Sequence, residues 1–395
     1  MGQRPAAAPG QDRELIERVA TFVRQRIHPW ESELDRDDEQ ADARLAQLCE
    51  EAQAAGLWAL PLPCELGGGG WGLERYAAMA VVEGRSEHGP AALGSASLLD
   101  VRTLTEHGSP VVRERYLEPL VSGADTACFA MTEPGARGSD PDTISTRAHR
   151  RVGSFEINGR KWFVTGARRA DLVLVIARTA APDPSIGPGH GLTVLAVPAN
   201  SPGLRIEREL PVWGAGGQYE LRFDNVRVGA EHVLGEVDLG VRVAASRIAL
   251  GRTLRSLRWI GQAERAFELL LERARDTTRA PSALGDHQLV QRLVFESQLA
   301  LSSSRALVEA AVRAVNDPTT DPGRTAVPLA KVAASRALDT VADAAAQVYG
   351  AEGLGPDTAL PRLQRAARQA RVLDGADEVH VSGVARRLLR GRSQH

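Results

Sequence analysis

The chain has 395 residues, 25% of them charged and 43% hydrophobic, with a formal net charge of −2. That length supports two or three domains with ample core, and the near-neutral balance gives no reason to expect nucleic acid or an anionic membrane as partner. The three cysteines, Cys49, Cys64 and Cys128, have no metal-ligand spacing and form no even-numbered framework, which points to a reducing cytoplasm. No charged-then-apolar leader opens the chain, and no apolar run approaches a membrane span. Of 48 basic residues only Lys161 and Lys331 are lysines, a compositional habit to which no function attaches.

Residues 1–10 read as a frayed tail. From Arg13 to about Ser122 the pattern is helical. Leu15, Val19, Phe22, Val23 and Ile27 share one helix face. The next run, RLAQLCEEAQAAGLWAL, is expected to stop at Pro61 and Pro63. Further helices are expected over 73–85 and 110–121. From about Asp125 the period changes to strands: LVLVIA at 172–177 and LTVLAV at 192–197 are short, apolar and bounded by turn residues. ELRFDNVRV alternates and ends near Gly229, and 181–191 reads as a long hairpin loop. After Asp238 long Ala-, Leu- and Arg-rich helices return, with apolar stripes of bundle width.

GGGGWG at 67–72 formally fits a dinucleotide fingerprint, but it follows a helix and a Pro turn, so a surface loop is the better reading. No histidine pair has metalloprotease spacing, no metal site is expected, and no G-x-S-x-G elbow appears. TEPG at 132–135 is by itself an ordinary turn. Asp374 by itself reads as a helix N-cap.

Taken together, AMTEPGARGSD, NGRKWFVTGA, LRFDNVRV, QVYGAEGL and ARVLDGADEVH change that balance. In this order and at these separations the chain resembles the acyl-CoA dehydrogenase family from about Asp12 to Leu389. The loop at 132–140 is one residue longer than the usual TEPGAGSD, which looks most like the branch of the acyl-CoA dehydrogenase 10 and 11 domains. The resemblance implies an α+β fold: an N-terminal helical domain (1–124), a central β-barrel or sandwich domain (125–237) and a C-terminal four-helix bundle (238–395). It implies FAD between the β domain and the bundle, a dimer or tetramer, an acyl-CoA or acyl-carrier thioester as substrate, and an electron-transferring flavoprotein as acceptor.

Carried over residue by residue, the resemblance places Met131 and Thr132 at the flavin ring, and Gly138 and Ser139 at the pyrophosphate and pantetheine. Phe163 takes the flavin-stacking position, followed by Val164 and by Thr165 near flavin N5. Gln347, Gly350 and Gly353 match a segment reaching FAD, and Arg252 matches an arginine at the reacting end of the substrate. Asp374 aligns with the carboxylate that removes the α-proton as hydride leaves the β-carbon for N5. In some relatives the base sits at the position of Gly251, which cannot serve. The family's Arg-x-x-Phe-Gly segment is lost at 277–281, leaving Arg275 or Arg279 as a cation for the pyrophosphate. Ala376 replaces a threonine near the adenosine. The alternatives within the resemblance are carrier-bound substrates, oxidase or monooxygenase chemistry, and a non-catalytic scaffold of the same fold.

Overall fold

The computed structural model describes residues 9–138, 140–183, 185–213, 215–279, 282–317 and 324–390. Helix α1 (Pro9–Phe22) continues through a π turn and a 3-10 turn into α2 (Glu31–Leu34). Val19, Val23 and Ile27 are fully buried along this run, the face selected by their spacing. Helix α3 (Glu39–Ala54) starts on an Asp38 cap that accepts from Ala41 N at 2.8 Å. It ends well before Pro61, because Gly56 turns left-handed first (φ +66°). Helices α4 (Leu73–Glu83), α5 (Gly89–Ala92), α6 (Leu98–His107) and α7 (Pro110–Ser122) follow. The glycine run at 67–70 lies between helices. A Cβ on Gly68 or Gly69 would strike the backbone of Leu62 or Leu60, so these glycines serve close packing.

Among the described residues eight strands follow: β1 (Ala127–Ala130), β2 (Arg147–Arg151), β3 (Ser154–Thr165), β4 (Leu172–Arg178), β5 (Leu192–Pro198), β6 (Leu204–Glu209), β7 (Gln218–Gly229) and β8 (Val233–Leu234). They form one hydrogen-bonded sheet in the order β6-β7-β3-β2-β4-β5-β8, with β1 added parallel to β4. Strands β4 and β5 pair antiparallel from Leu172↔Pro198 to Arg178↔Leu192 and are buried along nearly their whole length, as their apolar runs require. Their connection contains the loop expected at 181–191. Helices α8 (Gly240–Arg275), α9 (Gln288–Asn316), α10 (Ala326–Tyr349), α11 (Leu360–Ala370) and α12 (Asp377–Leu389) complete the chain. Helix α10 packs on α9, α11 and α12, and its many alanines let those neighbours approach closely.

By contacts the chain divides into two compact units. One gathers Pro29–Trp71 and Ala91–Arg247, and so holds the sheet. The other holds the segment ending at His28, Gly72–Pro90 and the chain from Ile248 onward, so α1 and α4 group with the C-terminal helices.

Each unit buries one of the two lysines, and each lysine holds a buried carboxylate. In the sheet unit the Lys161 ammonium is fully buried and donates to Met131 O at 2.7 Å and to Glu133 Oε1 at 2.8 Å. Glu133 also accepts from Ser145 N, Ser145 Oγ and Thr146 N, at 2.6–2.9 Å. In the helical unit Lys331, also fully buried, donates to Asp377 Oδ1 at 2.7 Å. Ser335 Oγ lies 3.0 Å from the same oxygen, and Arg371 Nε lies 3.5 Å from Oδ2. Both pairs are therefore structural anchors: removing one partner of a buried pair costs about 3–5 kcal/mol, because a bare charge is left behind.

Burial opposes ionisation of Glu133, but the Lys161 ammonium and the hydrogen bonds from Lys161, Ser145 and Thr146 outweigh it and hold the carboxyl down to about 2. Its unfolded value is near 4.5. A depressed folded value means the unfolded chain binds more protons between the two, so stability rises with pH through that window. The stability advantage of the wild type over Glu133→Gln should be full from pH 4.5 to neutrality and fade as the pH falls through about 2. Chemical unfolding of both proteins across acid pH checks this; a gap that does not change with pH would remove the ion pair from the account.

Candidate active site

The Lys161 anchor fixes the loop that follows β1. With Met131 O and Glu133 both held by one ammonium, residues 131–133 have little freedom. Pro134 and Gly135 then turn the chain: Gly135 has φ +79° and Ala136 N donates to Glu133 O at 3.3 Å, the pattern of a type II turn. Thr132 is clipped to strand β3 twice. Its carbonyl accepts from Trp162 N at 3.0 Å, and its hydroxyl donates to Trp162 O at 2.8 Å. With that proton committed, the Thr132 hydroxyl can offer a ligand a lone pair. Gly138 lies close by, where a Cβ would come 3.4 Å from Thr132 Cγ2. Met131, Thr132, Arg137, Gly138, Thr143 and Ile144 are among the residues lining a shallow surface depression. Ser139, the expected partner of Gly138, lies outside the described residues.

Across the clip, β3 carries a bulge. Lys161 pairs with Leu221 and Val164 with Tyr219, so Trp162 and Phe163 together face the single residue Glu220. The bulge turns Phe163 outward: its φ is +51°, the residue is 49% exposed, and its ring centroid is 4.9 Å from that of Trp162. A bulky residue held left-handed costs of order 1–3 kcal/mol and persists where surroundings over-determine it. Thr165 is exposed beyond it, and its hydroxyl accepts from Gln218 Nε2 at 3.0 Å. Val164 points the other way into the sheet core, so only its backbone can meet a ligand.

In the helical unit Asp374 sits on the turn between α11 and α12. The expected N-cap role is not what it does: α12 begins at Asp377, and Ala376 holds the cap position without a side-chain bond. Asp374 is instead left-handed (φ +56°), followed by left-handed Gly375. Two donors fix this shape by binding the Asp374 carbonyl, Arg252 Nε at 2.8 Å and His380 Nε2 at 3.0 Å. A carbonyl can only accept, so the His380 hydrogen is on Nε2. Burial, then the neighbouring Arg252 charge, push the imidazole below its ordinary range, which leaves it neutral near pH 7. The buried Lys331–Asp377 pair lies just past the turn and ties the start of α12 to α10. With its backbone clamped, Asp374 presents a partly exposed carboxylate whose Oδ2 is 3.5 Å from Arg255 Nε. Arg252 thus meets the predicted base, through its main chain.

Gln347 and Gly350 lie at the end of α10. Gly350 has φ +65°, with open space where a Cβ would be. Gly353 is buried, and a Cβ there would come 2.9 Å from Ala346 O and Tyr349 Cβ. Arg279 reaches this segment: Nη1 and Nη2 pair with Glu352, the latter at 3.2 Å, and Nε lies 3.4 Å from Asp276. Its cation is therefore already matched by carboxylates, and an anionic ligand would have to compete with Glu352. Ala280 and Pro281 lie outside the described residues.

A flavin ring needs an apolar face with a few polar groups at its edge. The outward Phe163 ring beside Thr132, Thr165 and the backbone of Val164 fits that need. The Arg279 segment does not add an uncommitted cation. Among the described residues no helix is long and apolar enough to cross a membrane, and no group of three or more His, Cys, Asp or Glu could hold a metal. The scarcity of lysine was the only sequence signal of Lys161 and Lys331, and nothing marked Arg255 or its partner Glu87.

Family models match the chain in three consecutive pieces: the acyl-CoA dehydrogenase N-terminal domain over residues 10–124, the middle domain over 128–226 and the C-terminal domain over 238–389. The chain is similar to "Probable acyl-CoA dehydrogenase FadE2" of Mycobacterium tuberculosis, 34% identical over 94% of this chain and 94% of that protein. It is 31% identical to acyl-CoA dehydrogenase family member 11 of Homo sapiens over 96% of this chain, and spans about half the length of that relative. A solved structure from Mycobacterium abscessus named for the acyl-CoA dehydrogenases superposes with a TM-score of 0.87 at 31% identity, covering 98% of this chain and 99% of that one. The chain belongs to the acyl-CoA dehydrogenase family.

Proposed function

We propose that this chain oxidises an acyl thioester to the 2-enoyl thioester with bound FAD, Asp374 removing the α-proton. The observation that carries the proposal is the Asp374 turn. A left-handed backbone clamped at its carbonyl by Arg252 and His380 holds a short carboxylate on the turn between α11 and α12. Geometry decides proton transfer before acidity does, and a rigid mount offsets the methylene that Asp lacks relative to Glu. FAD, when bound, supplies the two-electron acceptor for the hydrogen leaving the β-carbon.

On the sheet side, Phe163 would stack on the ring, Met131 and Thr132 would meet its edge, and the Thr165 hydroxyl would lie near the reacting nitrogen. Gly138 and Ser139 would face the pyrophosphate and the thioester arm, and Gln347, Gly350 and Gly353 the remote part of the cofactor. An acyl-CoA is the substrate we infer, with an electron-transferring flavoprotein as acceptor and a homo-oligomer as the working form. The commitment of Arg279 to Glu352 favours a second reading, a flavin-free scaffold of the same fold. Protein that is colourless as purified and takes up no added FAD would select it.

Anaerobic mixing of the purified yellow protein with a panel of acyl-CoA thioesters should bleach the flavin with at least one of them. Asp374→Asn should bind the same thioester and bleach at least 10²-fold more slowly, in line with loss of a positioned base. Equal bleaching by the two proteins would remove Asp374 from the role. Phe163→Ala should lower the flavin-to-protein ratio after gel filtration, with the unfolding midpoint preserved; unchanged retention would place the ring elsewhere.

A further inference from the structure

Resting on the dehydrogenase reading, we propose that Arg255, braced by Glu87, positions the Asp374 carboxylate for α-proton removal. The carbonyl clamp fixes the Asp374 main chain but leaves two side-chain torsions free. Arg255 restrains them from one side, with Nε 3.5 Å from Oδ2. The closest approach of the pair is to Oδ2, and no hydrogen bond among the described residues engages Oδ1, which leaves that oxygen to take the proton.

Arg255 could not do this if it were loose. Its Nη1 lies 3.1 Å from Glu87 Oε1, closer than its contact with Asp374. Glu87 is fixed in turn by Arg258 Nη1 at 3.1 Å and by Gln262 Nε2 at 2.9 Å. Burial disfavours the Glu87 charge, but Arg258 and Arg255 outweigh it and pull its pKa below the ordinary carboxylate range, so the brace stays ionised. Burial likewise works against the Arg255 cation, and the Asp374 and Glu87 carboxylates more than restore it. Glu87 thereby keeps Arg255 from closing on Asp374 as a bidentate pair, which would occupy both oxygens.

The arrangement also follows from helix geometry. Arg252 and Arg255 are three residues apart on α8 and so share one face. A single helix supplies both the donor that holds the Asp374 main chain and the cation that aims its side chain. Arg258 and Gln262 continue that face toward the brace.

The test is stopped-flow anaerobic flavin reduction by a bleaching acyl-CoA, which separates limiting rate from substrate Kd, in wild type, Arg255→Gln, Arg255→Lys and Glu87→Gln holoproteins. R255Q should lower the limiting rate about 10²-fold, the scale of a misplaced reacting group, with Kd within about twofold. E87Q should lower it about tenfold, and R255K should recover most of the loss, a rescue that a merely structural role does not produce. Wild-type limiting rates in both R255Q and E87Q, or losses confined to Kd, would overturn the positioning role. Should R255Q fail to fold, R255K and E87Q carry the test by themselves. A wild type that no thioester reduces would instead overturn the dehydrogenase reading, and this role with it.

Discussion

Burial of an ammonium beside a carboxylate is the interaction on which the functional geometry depends. In an interior of low polarity each charge alone is costly, so the partner and its hydrogen bonds must be met in one arrangement. Lys161 imposes that arrangement on Met131 and Glu133, and through them on the turn that carries Thr132. Lys331 does the same for Asp377, and so for the start of α12 and the turn before it. The rest of the chain meets its needs for positive charge with arginine, mostly at the surface. The two lysines are each fully enclosed.

These anchors allow strain to be held where chemistry would use it. Phe163 and Asp374 are both non-glycine residues in the left-handed region, a choice that costs energy unless surroundings enforce it. Around Phe163 the enforcing contacts are the bulge against Glu220 and the double clip of Trp162 to Thr132. Around Asp374 they are the two donors on its carbonyl. In each case the backbone is costly and rigid, and the side chain is turned away from its own element. Within each unit, a side chain displayed so rigidly has the precision that a positioned group needs.

Much of the fold could be read from residues alone. The apolar runs of β4 and β5, the alternation in β7 and the stripes of α8, α9 and α10 announce themselves by period, because burial repeats with the geometry of the element. The end of α3 was misplaced: the prolines at 61 and 63 are stronger breakers than Gly56, but Gly56 comes first. The site was legible as a set of strings and not as a mechanism. Nothing local marks a bulge at Trp162 and Phe163, since it depends on register with β7. The N-cap reading of Asp374 failed because the turn runs on through left-handed Gly375, which moves the helix start to Asp377. The buried pairs join residues 28 and 46 positions apart, and the Glu87–Arg255 contact spans 168, separations at which sequence spacing carries no information.

The central claim is that Asp374 takes a proton from the α-carbon of an acyl thioester. Its most direct test is exchange at that carbon, in deuterated buffer, with the FAD-loaded protein and an acyl-CoA that it binds. Mass spectrometry of the recovered thioester should show deuterium entering the α-position with wild type and not with Asp374→Asn. Equal incorporation by the two proteins, or none by the wild type while its flavin is reduced, would contradict the account.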